Sequence, residues 1–191
     1  MAEKGLDPQI ATAMIEIMES TLAKVPGIAP SSPPESLEKD IVEYEHRIRV
    51  NSFEKFQAPA YISYINFYLS EAEVGRSGKA KGALILYFDI ENAGKFYKAL
   101  GLPFPDDEDD ASMMNCNGDF CKILAEALKS KLSDLGYGNL ALSAPSSYRS
   151  NAVDGVEYSP DQKKLQEMNF FYFKHKIIVI ELTLAAIPTK K

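Results

Sequence analysis

Between positions 118 and 135 apolar residues return every three or four positions, as Phe120, Ile123, Leu124, Ala127, Leu128, Leu132 and Leu135. That spacing puts them on one side of an α-helix and predicts a stripe facing a core. The opposite side carries Asp119, Lys122, Glu126, Lys129 and Ser133. A second amphipathic helix is predicted over residues 8–25, where Ile10, Met14, Ile17, Met18 and Leu22 share a face behind an Asp7 N-cap and a Pro8 first turn. A third runs over residues 91–100, capped by Asp89 and ended by Gly101 and Pro103.

Elsewhere the period is two. Over residues 41–50 the alternation places Val42, Tyr44, His46, Ile48 and Val50 on an inner face and Glu43, Glu45, Arg47 and Arg49 outside, so His46 reads as an interior histidine satisfied by one hydrogen bond. Residues 60–69 and 83–88 are apolar on both faces and predict buried strands. Further strands are predicted at 140–144, 169–173 and 177–185, the last two joined by a Lys174-His175-Lys176 turn. The stretch 177–185 is apolar enough that, as an edge, it needs cover or a pairing partner. Residues 28–38, with Pro30, Pro33 and Pro34, read as a loop, as do 71–82 and the long polar stretch 145–166. The acidic run at 106–110 reads as solvated, with Asn115 or Asn117 capping the helix that follows. Helices and strands in this order predict an α/β (α+β-like) layered fold, with residues 1–191 as a single domain.

Composition narrows the chemistry. A chain of 191 residues that is 46% apolar fills one core. A net charge of -6 argues against a phosphate-backbone binder, so no nucleic acid is expected. No run approaches the roughly 20 apolar residues of a spanning helix, and the first residues lack a secretory pattern. No membrane association and a cytoplasmic location are therefore expected. Cys116 and Cys121 are too few for a disulfide framework and read as buried, reduced thiols. With His46 and His175 the only histidines, neither a metal site nor a cofactor is expected. There is no P-loop, no Rossmann glycine fingerprint and no Gly-x-Ser-x-Gly elbow.

From residue 81 to residue 188 the chain resembles the CheX branch of the CheC/CheX chemotaxis phosphatases. The resemblance rests on Gly82-Ala83-Leu84-Ile85-Leu86-Tyr87-Phe88, on the helix at Gly118, on Leu132-Ser133-Asp134-Leu135-Gly136-Tyr137-Gly138 leading to Leu142-Ser143-Ala144-Pro145, and on the closing strands from Phe173 to Leu182. It implies a CheC-like fold, in which two pseudo-equivalent halves of helix plus strands share a largely antiparallel sheet with long helices packed on it. It also implies a CheY-type receiver domain, phosphorylated on aspartate, as the partner, and a homodimer.

Family members carry Gly-Glu-x-x-Asn on the helix that begins at Gly118 here; the glutamate pairs with a receiver lysine and the asparagine positions the attacking water. Aligned on that glycine, Asp119 falls at the glutamate, Lys122 at the asparagine and Glu126 where the family prefers a small residue. Asp119 and Lys122 are thus the motif-equivalent catalytic positions, and Asp119, Lys122, Glu126 and Lys129 the expected partner-binding face. An asparagine amide both donates and accepts, whereas a lysine ammonium has three donors and no acceptor. The implied aspartyl-phosphate phosphatase chemistry is therefore impaired at Lys122. The alternatives are a non-catalytic scaffold or dimerisation module, and a helix face whose charges only form i, i+3 and i, i+4 salt pairs with one another.

Overall fold

The structure, a computed structural model, describes residues 5–103 and 109–186. It opens with α1 (Pro8–Ala23), whose N-terminus is closed by Asp7 Oδ1 accepting from the Gln9 amide at 2.9 Å, with Pro8 in the first turn. Ile10, Met14, Ile17, Met18 and Leu22 are its buried face, as the spacing predicts. The next elements are β1 (Pro30–Asp40), β2 (Glu43–Tyr44), β3 (Arg47–Asn51), the single-turn α2 (Phe53–Phe56) and β4 (Ala60–Tyr68). They are followed by β5 (Gly82–Asp89), α3 (Ile90–Ala99), α4 (Asp110–Asp134), β6 (Ala141–Leu142) and β7 (Ser146–Ser150). Last come β8 (Ala152–Val156), β9 (Lys164–Tyr172) and β10 (His175–Leu184).

The described residues form a seven-stranded sheet in the order β1-β9-β10-β5-β4-β6, with β7 also paired to β4, and a small sheet β2-β3-β8. Every pairing is antiparallel. Hairpins β4–β5 and β9–β10 meet at the centre, where β5 and β10 run in register from Phe88↔Ile178 to Gly82↔Leu184. This is the α/β, largely antiparallel architecture that the sequence implies. Period two decides what each face does: Leu84, Leu86, Phe88, Ile178, Ile180 and Leu182 face α1, α3 and α4 in the larger core. Ala83, Ile85, Tyr87 and Val179 point the other way, into a second core closed by Ile48, Val50 and Val156 of the small sheet.

Several sequence expectations are corrected. Residues 30–40 are an exposed edge strand rather than a loop; prolines lack the N–H that an interior ladder needs but fit an edge, and the register slips at Pro30/Ser32 and Ser32/Glu35. Residues 41–50 are not one strand but the β2–β3 hairpin, whose two-residue turn is Glu45-His46 with φ of 49° and 64°. His46 is therefore a turn residue with a 95% exposed side chain, its Nδ1 3.3 Å from Glu43 Oε1. Residues 145–166 hold β7, β8 and the start of β9. The turn between β9 and β10 is Phe173-Lys174, at φ of 52° and 65°, and His175 already belongs to β10. Strand β10 lies inside the sheet, so its own chain covers the apolar surface read as an edge.

Helix α4 begins earlier than expected. Its N-cap is Asp109, whose Oδ1 accepts from the Ser112 amide at 2.8 Å, so neither Asn115 nor Asn117 is a cap. Asp106 to Glu108 lie outside the described residues. On its core side Phe120, Leu124, Leu128 and Leu132 are buried as predicted, but Ile123 and Leu135 are exposed and Ala127 is half-buried. Cys121 and Ala125 take the core positions instead.

Candidate functional site

Where α4 crosses the sheet, β7 lies directly against it. Gly118 makes that approach possible: a Cβ there would stand 2.8 Å from Ser147 Oγ and 3.6 Å from Pro145. Ser147 is opposite Ser63 in the β4–β7 ladder, and their hydroxyls bond at 2.7 Å. Ser63 in turn accepts from Asn117 Nδ2 at 2.8 Å, and Asn117 Oδ1 accepts from Tyr97 at 2.8 Å. Asn117, Ser63 and Tyr97 are wholly buried, so this chain of polar groups fixes α3, α4, β4 and β7 to one another. Burial raises the Tyr97 hydroxyl well above its ordinary range, which keeps it a donor. At the start of α4, Asp110 Oδ1 accepts from Tyr61 at 3.0 Å and lies 3.2 Å from Arg149 Nε. Burial first, and then Asp110, push Tyr61 up to about 12.

The Pro145 side chain stands beside this rigid helix and divides its exposed flank into two grooves. One, of about 660 Å³, is bounded by Ser112, Asn115, Gly118, Asp119, Pro145 and Ser147. The other, of about 520 Å³, is bounded by Glu71, Lys122, Glu126, Lys129, Ser143 and Pro145. The four residues singled out by sequence are therefore on one helix flank but not in one pocket. Asp119 lines the first groove and Lys122, Glu126 and Lys129 the second. Asp119, Lys122 and Glu126 are exposed and Lys129 is half-buried. The salt ladder, the alternative to a docking face, is not formed: among the described residues none of the four has an ion-pair partner within 4.0 Å. Cys116, just beneath, donates to the Pro103 carbonyl at 3.3 Å, and burial followed by the nearby Asp119 raises its thiol. Both cysteines are free and buried, as expected.

A second polar centre, on the other side of the sheet, escaped the sequence reading. Lys55 of α2 enters the small core, where its ammonium bonds Glu167 and stands 3.3 Å from Glu181 Oε2. Tyr87 donates to the other Glu181 oxygen, and Lys39 reaches Glu167 at 2.8 Å. Burial opposes the charge on all three ionised members. At Glu167 the two lysines outweigh it and hold the carboxyl below its usual range, and at Lys55 the two glutamates outweigh it and raise the ammonium. At Glu181 burial prevails and the carboxyl is raised. A charged residue within the apolar run of β10 was the available signal, since a buried carboxylate needs a partner. Among the described residues no group of three or more His, Cys, Asp and Glu side chains is placed to hold a metal ion. No described helix is long and apolar enough to cross a membrane.

No family model and no curated protein sequence matches the chain. Solved structures do. A CheC-like superfamily protein from Shewanella sp. PV-4 superposes with a TM-score of 0.61 at 14% identity, over 95% of this chain and 100% of that one. The chemotaxis protein CheX from Desulfovibrio desulfuricans gives 0.58 at 16% identity, over 92% and 99%. CheX from Borrelia burgdorferi, solved as a CheX-CheY-BeF3-Mg+2 complex, gives 0.52 at 14% identity, over 94% and 97%. The match runs through nearly the whole of each chain, so the main sheet, the three helices on it and the small second sheet together constitute the CheC/CheX-like fold.

Proposed function

We propose that this protein is a CheX-like component of chemotaxis or related two-component signalling that docks a CheY-type receiver on the exposed flank of α4. Asp119, Lys122, Glu126 and Lys129 form the docking face, and the Asp119–Lys122 pair does not carry out the dephosphorylation expected of the family's acid and asparagine. The observation that carries this reading is the division of the flank by Pro145. Asp119 and Lys122 line different grooves, and a lysine ammonium has no acceptor for an attacking water, which supports docking rather than hydrolysis as the work of this pair. Their charges are unspent inside the chain, which leaves them for a partner. CheX from Borrelia burgdorferi, similar in fold, was solved in complex with CheY, which supports a receiver as the partner. A cytoplasmic site of action, a single functional domain and a homodimer belong to the same reading; β10 is buried in its own sheet, so a dimer would use another surface.

The test is titration of a beryllofluoride-loaded CheY-type receiver into the protein, followed by calorimetry. Reversing one charge, in Asp119→Lys or Lys122→Glu, is expected to weaken binding about tenfold or more, the scale of a charge pair lost at an interface. Binding that ignores both reversals would remove α4 as the docking face. No binding to any receiver would favour a non-catalytic scaffold.

A further inference from the structure

The outer face of the small sheet is built from two cross-strand pairs of the same kind. Tyr44 of β2 lies opposite Arg47 of β3, and the Arg49 amide donates to the Val42 carbonyl at 2.8 Å, which sets Val42 opposite Arg49. Ile48 and Val50 are buried between the two sheets, so alternation turns Arg47 and Arg49 outward, and Tyr44 and Val42 with them. Tyr44 is 70% exposed and Val42 57%, which leaves an aromatic and a β-branched side chain open to water, each beside a cation. Glu43, the acid between them in sequence, is turned to the inner side, where Tyr158 donates to it. Neither guanidinium is firmly paired. Arg47 Nη2 stands 3.9 Å from Glu157 Oε1, and among the described residues the Arg49 side chain has no hydrogen-bond or ion-pair partner. Gly155 of β8 helps to fix Arg47: a Cβ there would stand 2.9 Å from Arg47 Cδ and 3.2 Å from its Cγ, so the arginine stem lies across bare backbone.

We propose that this face binds an extended acidic segment of a partner protein, one that carries glutamates at alternate positions. Charge and spacing together select that occupant. Residues two apart on a strand are separated by about 6.6 Å, the repeat of alternate side chains in an extended peptide, so Arg47 and Arg49 can each take one carboxylate in a bidentate pair. Glutamate fits better than aspartate because its longer methylene stem can lie on Tyr44 or Val42 while the carboxylate reaches the guanidinium. Tyrosine and arginine are also the side chains most enriched where binding energy concentrates. Other polyanions fit less well: anionic membranes are held by clusters of about 4–8 cations, and a chain of net charge -6 repels a nucleic acid. The small sheet and α4 pack on opposite sides of the main sheet. Binding at this face therefore does not depend on receiver docking, and a protein holding both occupants would bridge them.

The experiment is fluorescence anisotropy of a dye-labelled peptide in which glutamate alternates with serine, titrated with the full chain. The wild-type protein should bind it, while peptides with glutamine or aspartate in place of glutamate should bind at least about tenfold and about threefold more weakly. Arg47→Ala and Arg49→Ala should each weaken binding about tenfold, Arg49→Lys by less, and Tyr44→Ala by about threefold or more. All four side chains are exposed, so these variants are expected to keep the wild-type urea midpoint. Lys122→Ala, across the main sheet, should leave peptide affinity unchanged, and Arg49→Ala should leave receiver affinity unchanged. No binding of the glutamate peptide overturns the proposal, as does binding that ignores both arginine variants or falls equally in Lys122→Ala. Two other results overturn it by assigning the face elsewhere: self-association that Arg49→Ala abolishes in sedimentation, which gives it to a second copy, and binding to phosphatidylserine vesicles that Arg49→Ala abolishes while the peptide does not compete.

Discussion

Replacing Lys55 by Met takes an ammonium from between two carboxylates that the sheet buries. Lys55 is 7% exposed, Glu167 3% and Glu181 6%, so water cannot replace the lost partner. Removing one member of a buried ion pair costs about 3–5 kcal/mol, chiefly because the other charge stays buried and unpaired. Lys39 still reaches Glu167 at 2.8 Å, which leaves Glu181 as the main orphan and places the expected loss near the lower figure at pH 7. In urea, where stability falls by about 1–3 kcal/mol per molar, the midpoint should drop by about 1 M or more. The loss should shrink on acidification. Burial already raises the Glu181 carboxyl, and without Lys55 it rises further, so protonation relieves the orphaned charge by up to about 1.4 kcal/mol per pH unit. Adding Glu181→Gln to Lys55→Met should recover a substantial part of the stability at pH 7 and abolish that pH dependence. A loss below about 1 kcal/mol at pH 7, or one equally large near pH 5, would show that the cluster is hydrated and that its burial has been misjudged.

Two further outcomes test the helix-side packing and the tyrosines. Gly118→Ala gains about 0.8–1 kcal/mol of helix propensity but drives a Cβ to 2.8 Å from Ser147 Oγ, an overpacking worth about 1–3 kcal/mol, so it should be neutral to destabilising. In a Ser147→Ala background the same change should stabilise by about 1 kcal/mol; equal effects in both backgrounds, measured by urea unfolding, would acquit Ser147. Tyr61, Tyr158 and Tyr172 are each pushed up to about 12, first by burial, and Lys55 is raised because its glutamates outweigh burial. These groups hold protons more tightly folded than unfolded, so their contribution is complete below about pH 10 and is lost as pH rises towards 12. The urea midpoint should fall between about pH 8 and about pH 11 while the tyrosine absorbance shows ionisation lagging until unfolding; an unchanged midpoint would mean that these hydroxyls titrate freely.

Elements whose burial follows a clean period were legible in the sequence. Helix α1 with its Asp7 cap and the buried stripe of α4 declare themselves because one side of each meets a core, and strands β4 and β5 because both of their faces do. Strands β1 and β7 did not, because they are edges: β1 is mostly exposed and tolerates its prolines, β7 is only half-buried and polar, and no apolar alternation is required of either. Tyr44 and His46 fitted the alternation of β3 only because a two-residue turn between strands preserves the count while reversing the chain. The flank of α4 was legible as a face, since its four charged residues follow from helical spacing. Its partition was not, because the divider, Pro145, comes from a stretch after β6 whose position depends on β7 pairing with β4. Asn115 and Asn117 looked interchangeable in sequence; the start of α4 at Asp110 turns one into the groove and the other into the core.

The central position of β10 has a consequence for biosynthesis. A ribosome that has released the chain only through β8 has delivered all four helices and β5, yet one flank of β5 still lacks the neighbour that completes it. Edge strand β1, made early, must likewise wait for β9 before it has anything to pair with. Sheet closure is thus the last act of folding, delayed by contacts between distant parts of the chain, and an apolar strand edge stays open meanwhile. Chaperone occupancy on nascent chains should therefore persist until residue 184 has cleared the exit tunnel, and truncations before β9 should aggregate rather than accumulate as smaller folded proteins.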